Sequence, residues 1–164
     1  MLRIVLVEDN PADAHMLRTA LEETGASIEI FALAEGAKAM EYFSDANADD
    51  VLGKCDLALI DLNLPRVSGF ELLQHIKTSE RLKRIPVIVM SGSADSSEIE
   101  RCYELGANSY ICKPAHLDKI LDVAMQFVMY WSTCVQLPCP PPATSRSTAA
   151  VDQLEQSTPQ TQLG

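Results

Sequence analysis

The chain has 164 residues, 47% of them hydrophobic, and a formal net charge of −10 at pH 7. This length fits one globular domain, and the acidic balance argues against nucleic-acid binding through a basic surface. No apolar run reaches the roughly 18 residues typical of a membrane span, and the amino terminus resembles no export signal. The five cysteines form an odd set without CxxC spacing, which favours a reducing cytoplasm over a disulfide framework.

Five short apolar segments predict a parallel β-sheet. Runs of four to eight residues rich in Val, Ile and Leu are typical of strands buried on both faces, whereas residues 27–33 alternate in part and predict an edge strand. The predicted strands are the amino-terminal RIVLV and residues 27–33, 55–60, 86–90 and 108–112.

Helical patterns fill the intervals between these strands. Asn10 and Pro11 supply a cap and a first helical residue, and Ser68 and Glu71 have the spacing of a capping box. The predicted helices cover 11–24, 34–44, 69–79, 96–105 and 114 to about 137, and the polar stretch 45–54 receives no element. Right-handed crossovers then predict a doubly wound α/β fold, a flavodoxin-like three-layer sandwich with strand order 2-1-3-4-5.

The composition changes at Pro138. Residues 138–164 are rich in Pro, Ser, Thr and Gln and contain few large apolar side chains. Such a segment buries too little surface to offset the entropy of ordering. We therefore expect a domain over 1–137 and a disordered tail over 138–164.

Polar residues with complementary chemistry follow the predicted strands. Glu8 and Asp9 follow the first, Asp61 the third, Ser91 the fourth and Lys113 the fifth. The carboxyl ends of parallel strands share one edge of the sheet, where open α/β sheets bind ligands. We therefore expect these five side chains to converge on one pocket.

The expected pocket suits phosphoryl chemistry with a divalent cation. Three neighbouring carboxylates would repel one another without a cation, and Mg²⁺ prefers oxygen ligands. Lys113, the Ser91 hydroxyl and the amides of the Asn63 and Gly92 loops suit phosphoryl oxygens. The Asp61 carboxylate is then the candidate nucleophile that forms an aspartyl phosphate.

Four motifs resemble the receiver domain of bacterial two-component response regulators, which has a CheY-like fold. VEDNPAD, LALIDLNLPRVSG, VIVMSGS and YICKP occur in that family's order and spacing across approximately residues 1–130. The resemblance implies that Asp61 accepts a phosphoryl group from a sensor histidine kinase. It also implies that Asp9, Asp61 and the backbone carbonyl of Asn63 ligate Mg²⁺, and that Glu8 holds a metal-bound water.

The resemblance further implies how phosphorylation is sensed. Ser91 and Lys113 would contact the phosphoryl group, with a cis peptide bond between Lys113 and Pro114. Tyr110 matches the family's rotating aromatic switch. Its rotation would change the face formed by the predicted helix 96–105, the strand 108–112 and the last helix, which an unidentified downstream protein would bind.

The last predicted helix, which ends FVMYWSTCVQLP, resembles that of the stand-alone regulators that serve phytochrome-type histidine kinases. Those regulators tend to self-associate through this region. Phe127, Tyr130 and Trp131 are thus either a homodimer surface or a core cover for the sheet edge.

Two other functions are alternatives to a non-enzymatic phosphoreceiver. A haloacid-dehalogenase-like phosphatase also uses a strand-end Asp and Mg²⁺, but it needs a second Asp two residues on as general acid, where this chain has Asn63. A degenerate receiver that acts as a phosphorylation-independent scaffold is disfavoured because no member of the active set is missing. With no output domain expected after the receiver, its own surface should carry the signal.

Overall fold

A computed structural model describes residues 1–114 and 116–138, which form a five-stranded parallel sheet between two layers of helices. The strand order is β2-β1-β3-β4-β5, so the predicted α/β fold and strand order are confirmed. The strands are β1 (Leu2–Val7), β2 (Ile28–Leu33), β3 (Leu57–Ile60), β4 (Val87–Ser91) and β5 (Ser109–Cys112). The helices are α1 (Pro11–Glu23), α2 (Gly36–Tyr42), α3 (Ala48–Lys54), α4 (Gly69–Thr78), α5 (Ser96–Glu104) and α6 (Leu117–Met129).

Two helices begin at the capping residues that the sequence predicts. The Asn10 side chain accepts hydrogen bonds from the backbone at Ala12 and Asp13, which satisfies free N–H groups at the start of α1. Ser68 and Glu71 form the predicted capping box at the start of α4.

The polar stretch 45–54 differs from the sequence prediction because it contains a 3₁₀ turn, Asp45–Asn47, and the helix α3. Only Ala48 and Val51 of α3 are buried. The three-residue spacing places both side chains on one helix face. Two apolar positions make too narrow a stripe for the sequence pattern to predict a helix.

The last helix also differs from its prediction at both ends. It begins at Leu117 rather than at Pro114, and it runs to Met129 before one π-helical turn, Tyr130–Cys134, ends the helical segment. The predicted extension to about Leu137 is therefore too long. Pro138 is described, whereas the rest of the predicted tail, 139–164, lies outside the described residues.

The sheet carries a hydrophobic core on each face because successive strand residues point to opposite sides. In β1, Val5 and Val7 belong to the core under α2, α3, α4 and α5. Ile4 and Leu6 belong to the core under α1 and α6. Burial on both faces explains the continuous apolar sequences of β1, β3 and β4.

Two of the three aromatic residues predicted as a dimer surface lie in the core. Phe127 and Trp131 are buried with the α1 and α6 core, so the prediction of an exposed patch is wrong for them and the core-cover alternative holds. Self-association through this region stays a prediction. Tyr130 is 56% exposed. Phe127 and Trp131 pack against the apolar sheet face, because burying large rings removes much apolar surface from water.

Within the described ranges, no helix is both long and apolar enough to cross a bilayer.

Gly69 brings the start of α4 against the end of β3. A Cβ atom at this residue would lie 2.1 Å from the Asp61 backbone oxygen and 2.7 Å from the Leu62 Cα. These are backbone atoms that cannot move without displacing Asp61. The glycine thus positions α4 against the strand end.

We expect Gly69→Ala to lower the free energy of unfolding by about 2–3 kcal/mol, because overpacking against backbone forces a local shift. Gly53→Ala is the matched control: nothing lies within 4 Å of a Cβ there, and alanine should add about 0.5 kcal/mol to helix stability. Urea denaturation measures both variants. Equal stabilities of the two variants would contradict the assigned close contact.

Candidate functional site

The predicted residues follow adjacent strands at one edge of the sheet. Glu8 and Asp9 follow β1, Asp61 follows β3, Ser91 ends β4 and Lys113 follows β5. Hydrogen bonds tie these ends together. The Asp61 N–H donates to the carbonyl of Val7 at 3.0 Å, and the Lys113 N–H donates to that of Ser91 at 2.7 Å.

The Lys113 ammonium lies among three carboxylates. Its Nζ is 2.6 Å from Glu8 Oε2, 2.7 Å from Asp61 Oδ2 and 3.2 Å from Asp13 Oδ2. The Lys113 side chain is 17% exposed, and those of Glu8 and Asp61 are 4% and 8% exposed. Such pairs are screened less by solvent than surface ion pairs are.

The burial and the ion pairs shift two pKa values. Burial opposes the charge on Lys113, but hydrogen bonds and Coulomb attraction from Asp61 and Glu8 outweigh burial and raise the pKa of Lys113. Burial raises the pKa of Glu8, and the attraction of Lys113 offsets this only in part. Lys113 therefore stays protonated across the physiological range.

Glu8, Asp9 and Asp61 lie close enough together to act as oxygen ligands for one metal ion. One carboxylate oxygen from each lies within 4.8 Å of the others. Asp9 is exposed, whereas the other two side chains are buried. Hard carboxylate oxygens at this spacing fit a divalent cation such as Mg²⁺, which commonly keeps several of its waters in protein sites.

Backbone N–H groups orient the two buried carboxylates. The Asn63 N–H donates to Asp61 Oδ1 at 3.3 Å, and the Asn10 N–H donates to Glu8 Oε1 at 3.1 Å. Each carboxylate thus has one oxygen held by backbone and the other by Lys113. Asn63 and Gly92 are exposed in the loops that follow β3 and β4.

Ser91 and Tyr110 connect to the same segment of backbone. The Ser91 Oγ is fully buried and accepts the Ser93 N–H at 3.3 Å. The Tyr110 hydroxyl donates to the Ser93 carbonyl at 3.0 Å. Tyr110 is half-buried, and burial raises the pKa of its hydroxyl.

The predicted cis bond between Lys113 and Pro114 is wrong for this structure, since the described residues contain no cis peptide bond. The trans isomer of a bond to proline is lower in energy by about 0.5–1 kcal/mol. In this isomer the Lys113 side chain still reaches Glu8 and Asp61.

Asp13 is the site residue that the sequence reasoning missed. It lies in the first turn of α1 and contacts Lys113 from there. Its sequence signal is its place one turn into a helix that begins at the same sheet edge as Glu8. Acidic residues are common in first helical turns for dipole reasons alone, which is why this signal is weak.

Comparison with known proteins covers most of the chain. The model of the response regulator receiver domain family matches residues 4–125. The response regulator Rcp1 of Synechocystis sp. is 33% identical over 135 residues, which are 82% of this chain and 92% of Rcp1.

Solved structures of two regulators have the same fold. The phosphorylated cyanobacterial phytochrome response regulator RcpA superposes with a TM-score of 0.75 at 33% identity, over 84% of this chain and 99% of that one. The Mn²⁺-bound form of Rcp1 superposes with a TM-score of 0.73 at 30% identity, over 83% and 99%. The strand order, the carboxylate–lysine site and the family match lead to one conclusion: the chain belongs to the response regulator receiver family of two-component signalling, and it is similar to phytochrome response regulators.

Proposed function

We propose that this protein is a phosphoreceiver in which Asp61 accepts a phosphoryl group from a sensor histidine kinase. The observation that carries the proposal is the buried Asp61 carboxylate, which lies 2.7 Å from the Lys113 ammonium and beside two further potential metal ligands. In the transfer, an Asp61 oxygen forms a new P–O bond while the P–N bond of the kinase phosphohistidine breaks. The liberated histidine takes up a proton.

The protein contributes position and charge to this reaction, as is usual for phosphoryl transfer. The Asn63 N–H orients the Asp61 carboxylate, and Lys113 can donate to a phosphoryl oxygen. Ser91 and the backbone amides at Asn63 and Gly92 supply further donors for the phosphoryl oxygens.

Asp9, Asp61 and the Asn63 backbone carbonyl would hold Mg²⁺, with Glu8 bound through a water. The cation would neutralise the charge that accumulates between the carboxylates and the phosphoryl group. The carboxylate spacing supports this assignment, and the relative Rcp1 has been solved in a Mn²⁺-bound form.

The output of the proposed switch is a change in partner affinity. A phosphoryl group that draws the Ser91 hydroxyl toward itself disturbs the Ser93 backbone, to which both Ser91 and Tyr110 are bonded. Rotation of Tyr110 then shifts the population of the α5, β5 and α6 face toward the form that binds a downstream protein.

The similarity to RcpA supports a phytochrome-type kinase as the phosphoryl donor, since RcpA is a phytochrome response regulator. The alignment spans 92% of Rcp1, which supports a regulator that acts through the receiver itself. The proposed role is signalling rather than metabolic catalysis.

Incubation with acetyl phosphate and Mg²⁺ tests the proposal. We expect the wild type to gain one phosphoryl group, seen by gel retardation and intact mass, because Asp61 is a positioned nucleophile. Asp61→Asn should stay unlabelled, whereas the control Asp50→Asn should be labelled like the wild type, since Asp50 is an exposed partner of Lys54 on α3. Equal labelling of Asp61→Asn and the wild type would refute the proposal, and an unlabelled wild type would favour the scaffold alternative.

A further inference from the structure

Asp13 is the last residue of the VEDNPAD motif, and it is a carboxylate of the site to which the family resemblance assigns no role. Its Oδ2 lies 3.2 Å from Lys113 Nζ, the longest of the three contacts of this ammonium. Its side chain is 34% exposed, far more than those of Glu8 and Asp61. Separation from Lys113 therefore costs least for Asp13, because water can solvate its exposed carboxylate once the contact is broken.

The three contacts use the full donor capacity of Lys113. A lysine ammonium has three N–H donors and no acceptor, and here three carboxylates receive them. A phosphoryl oxygen must therefore replace one of these acceptors before Lys113 can donate to it.

The three acceptors do not change equally when Asp61 is phosphorylated. Asp61 becomes an acyl phosphate, and the phosphoryl oxygens replace its carboxylate as acceptors for Lys113. Glu8 lies among the candidate metal ligands. Asp13 has neither role, so its carboxylate remains available to Lys113 throughout.

We propose that Asp13 competes with the incoming phosphoryl group for the Lys113 ammonium and thereby slows phosphorylation of Asp61. The inference rests on the proposed function and adds a regulatory residue to it. Asp13 acts through Lys113 and is a positioning residue.

The local charge acts in the same direction as this competition. The site has four carboxyl groups and one ammonium group, and phosphoryl donors are anionic. The Asp13 charge therefore adds to their repulsion. A cavity of about 60 Å³ lined by Asp13, Lys113, Met16 and Met90 leaves space in which the two charged side chains can separate.

Labelling rates with acetyl phosphate and Mg²⁺ test the direction of the effect. Asp13→Asn keeps the side-chain shape but removes the charge, and we expect labelling about two- to fivefold faster than in the wild type, as suits one partly exposed ion pair. Glu22→Gln is the matched control because Glu22 is an exposed carboxylate of the same helix. It removes the same net charge away from Lys113 and should label at the wild-type rate. An Asp13→Asn rate equal to or below that of Glu22→Gln would overturn the proposal.

Unfolding equilibria in a chelator test the pairing without any metal. Asp13→Asn, Lys113→Gln and the double variant form a double-mutant cycle. We expect a coupling of about two- to fivefold in the unfolding equilibrium constant. Strictly additive effects would overturn the role of Lys113 as the group through which Asp13 acts.

The two measurements separate this inference from the proposed function. Wild-type labelling that is lost in Asp61→Asn but unaltered by Asp13→Asn refutes the role of Asp13 alone. Equal labelling of the wild type and Asp61→Asn refutes the proposed function, whatever Asp13→Asn does.

Discussion

Lys113→Met should lower the free energy of unfolding by about 3–5 kcal/mol at pH 7, because it leaves buried carboxylates without their counter-charge. Glu8 and Asp61 both lie within 2.7 Å of the ammonium that the variant removes. Urea denaturation over a range of pH measures the loss. Lys54→Met is the matched control, since Lys54 pairs with Asp50 on the surface, and its effect should stay below about 1 kcal/mol.

The pH dependence of Lys113→Met distinguishes charge repulsion from lost packing. Burial already raises the pKa of Glu8 in the wild type, and removal of Lys113 raises it further. A carboxyl whose folded-state pKa is raised contributes stability below its unfolded-state pKa, near 4, and loses it as pH rises through the folded-state pKa. The deficit of the variant should therefore shrink as the pH falls from 7 toward 4.

The stability of the wild type should also depend on pH, in the alkaline range. The raised pKa of Lys113 means that its pairing contributes fully below its unfolded-state pKa, about 10.4, and is lost as the pH rises through the higher folded-state pKa. Adding Asp61→Asn to Lys113→Met should restore part of the stability at pH 7, because one repelling charge is removed. A deficit independent of pH that Asp61→Asn does not reduce would contradict this account.

Asp9→Asn should reduce Mg²⁺-dependent labelling at least about 100-fold, because even outer-sphere substitutions at metal sites cost about 10- to 100-fold in affinity. Asp9 is the exposed member of the carboxylate set. Its replacement should therefore change the free energy of unfolding by less than about 0.5 kcal/mol in the absence of metal. The variant separates metal binding from the fold.

A Mg²⁺ titration of the labelling rate measures this effect, with denaturation in a chelator as the stability check. Asp50→Asn is again the control, because Asp50 is a surface acid on α3. A wild-type Mg²⁺ requirement in Asp9→Asn would remove Asp9 from the ligand set.

Much of the fold could be predicted because local signals and global arrangement agree. The apolar strands alternate with capped helices, and Ser68 with Glu71 marks the start of α4 to the residue. The helix α3 could not be predicted in this way. Its stability comes from two buried side chains, Ala48 and Val51, whose partners lie far away in sequence.

The candidate site was likewise predicted only in part from the sequence. Strand ends placed Glu8, Asp9, Asp61 and Lys113 at one edge, since parallel strands share their carboxyl ends. The isomer of the bond before Pro114 is a choice between states close in energy, which tertiary contacts decide. Asp13 was missed because it does not follow a strand: it lies in the first turn of α1, and its contact with Lys113 depends on how that helix packs at the sheet edge.

The sequence by itself determined the fold class, the strand order and the edge at which the acidic and basic groups meet, because these follow from periodicity and chain connectivity. Only the tertiary structure decided which donor meets which acceptor: that Lys113 is shared among three carboxylates, and that Phe127 and Trp131 are buried while Tyr130 is exposed. Side-chain pairing and burial depend on how α1 and α6 pack against the sheet. Packing of that kind depends on contacts between distant parts of the chain, which a local pattern does not record.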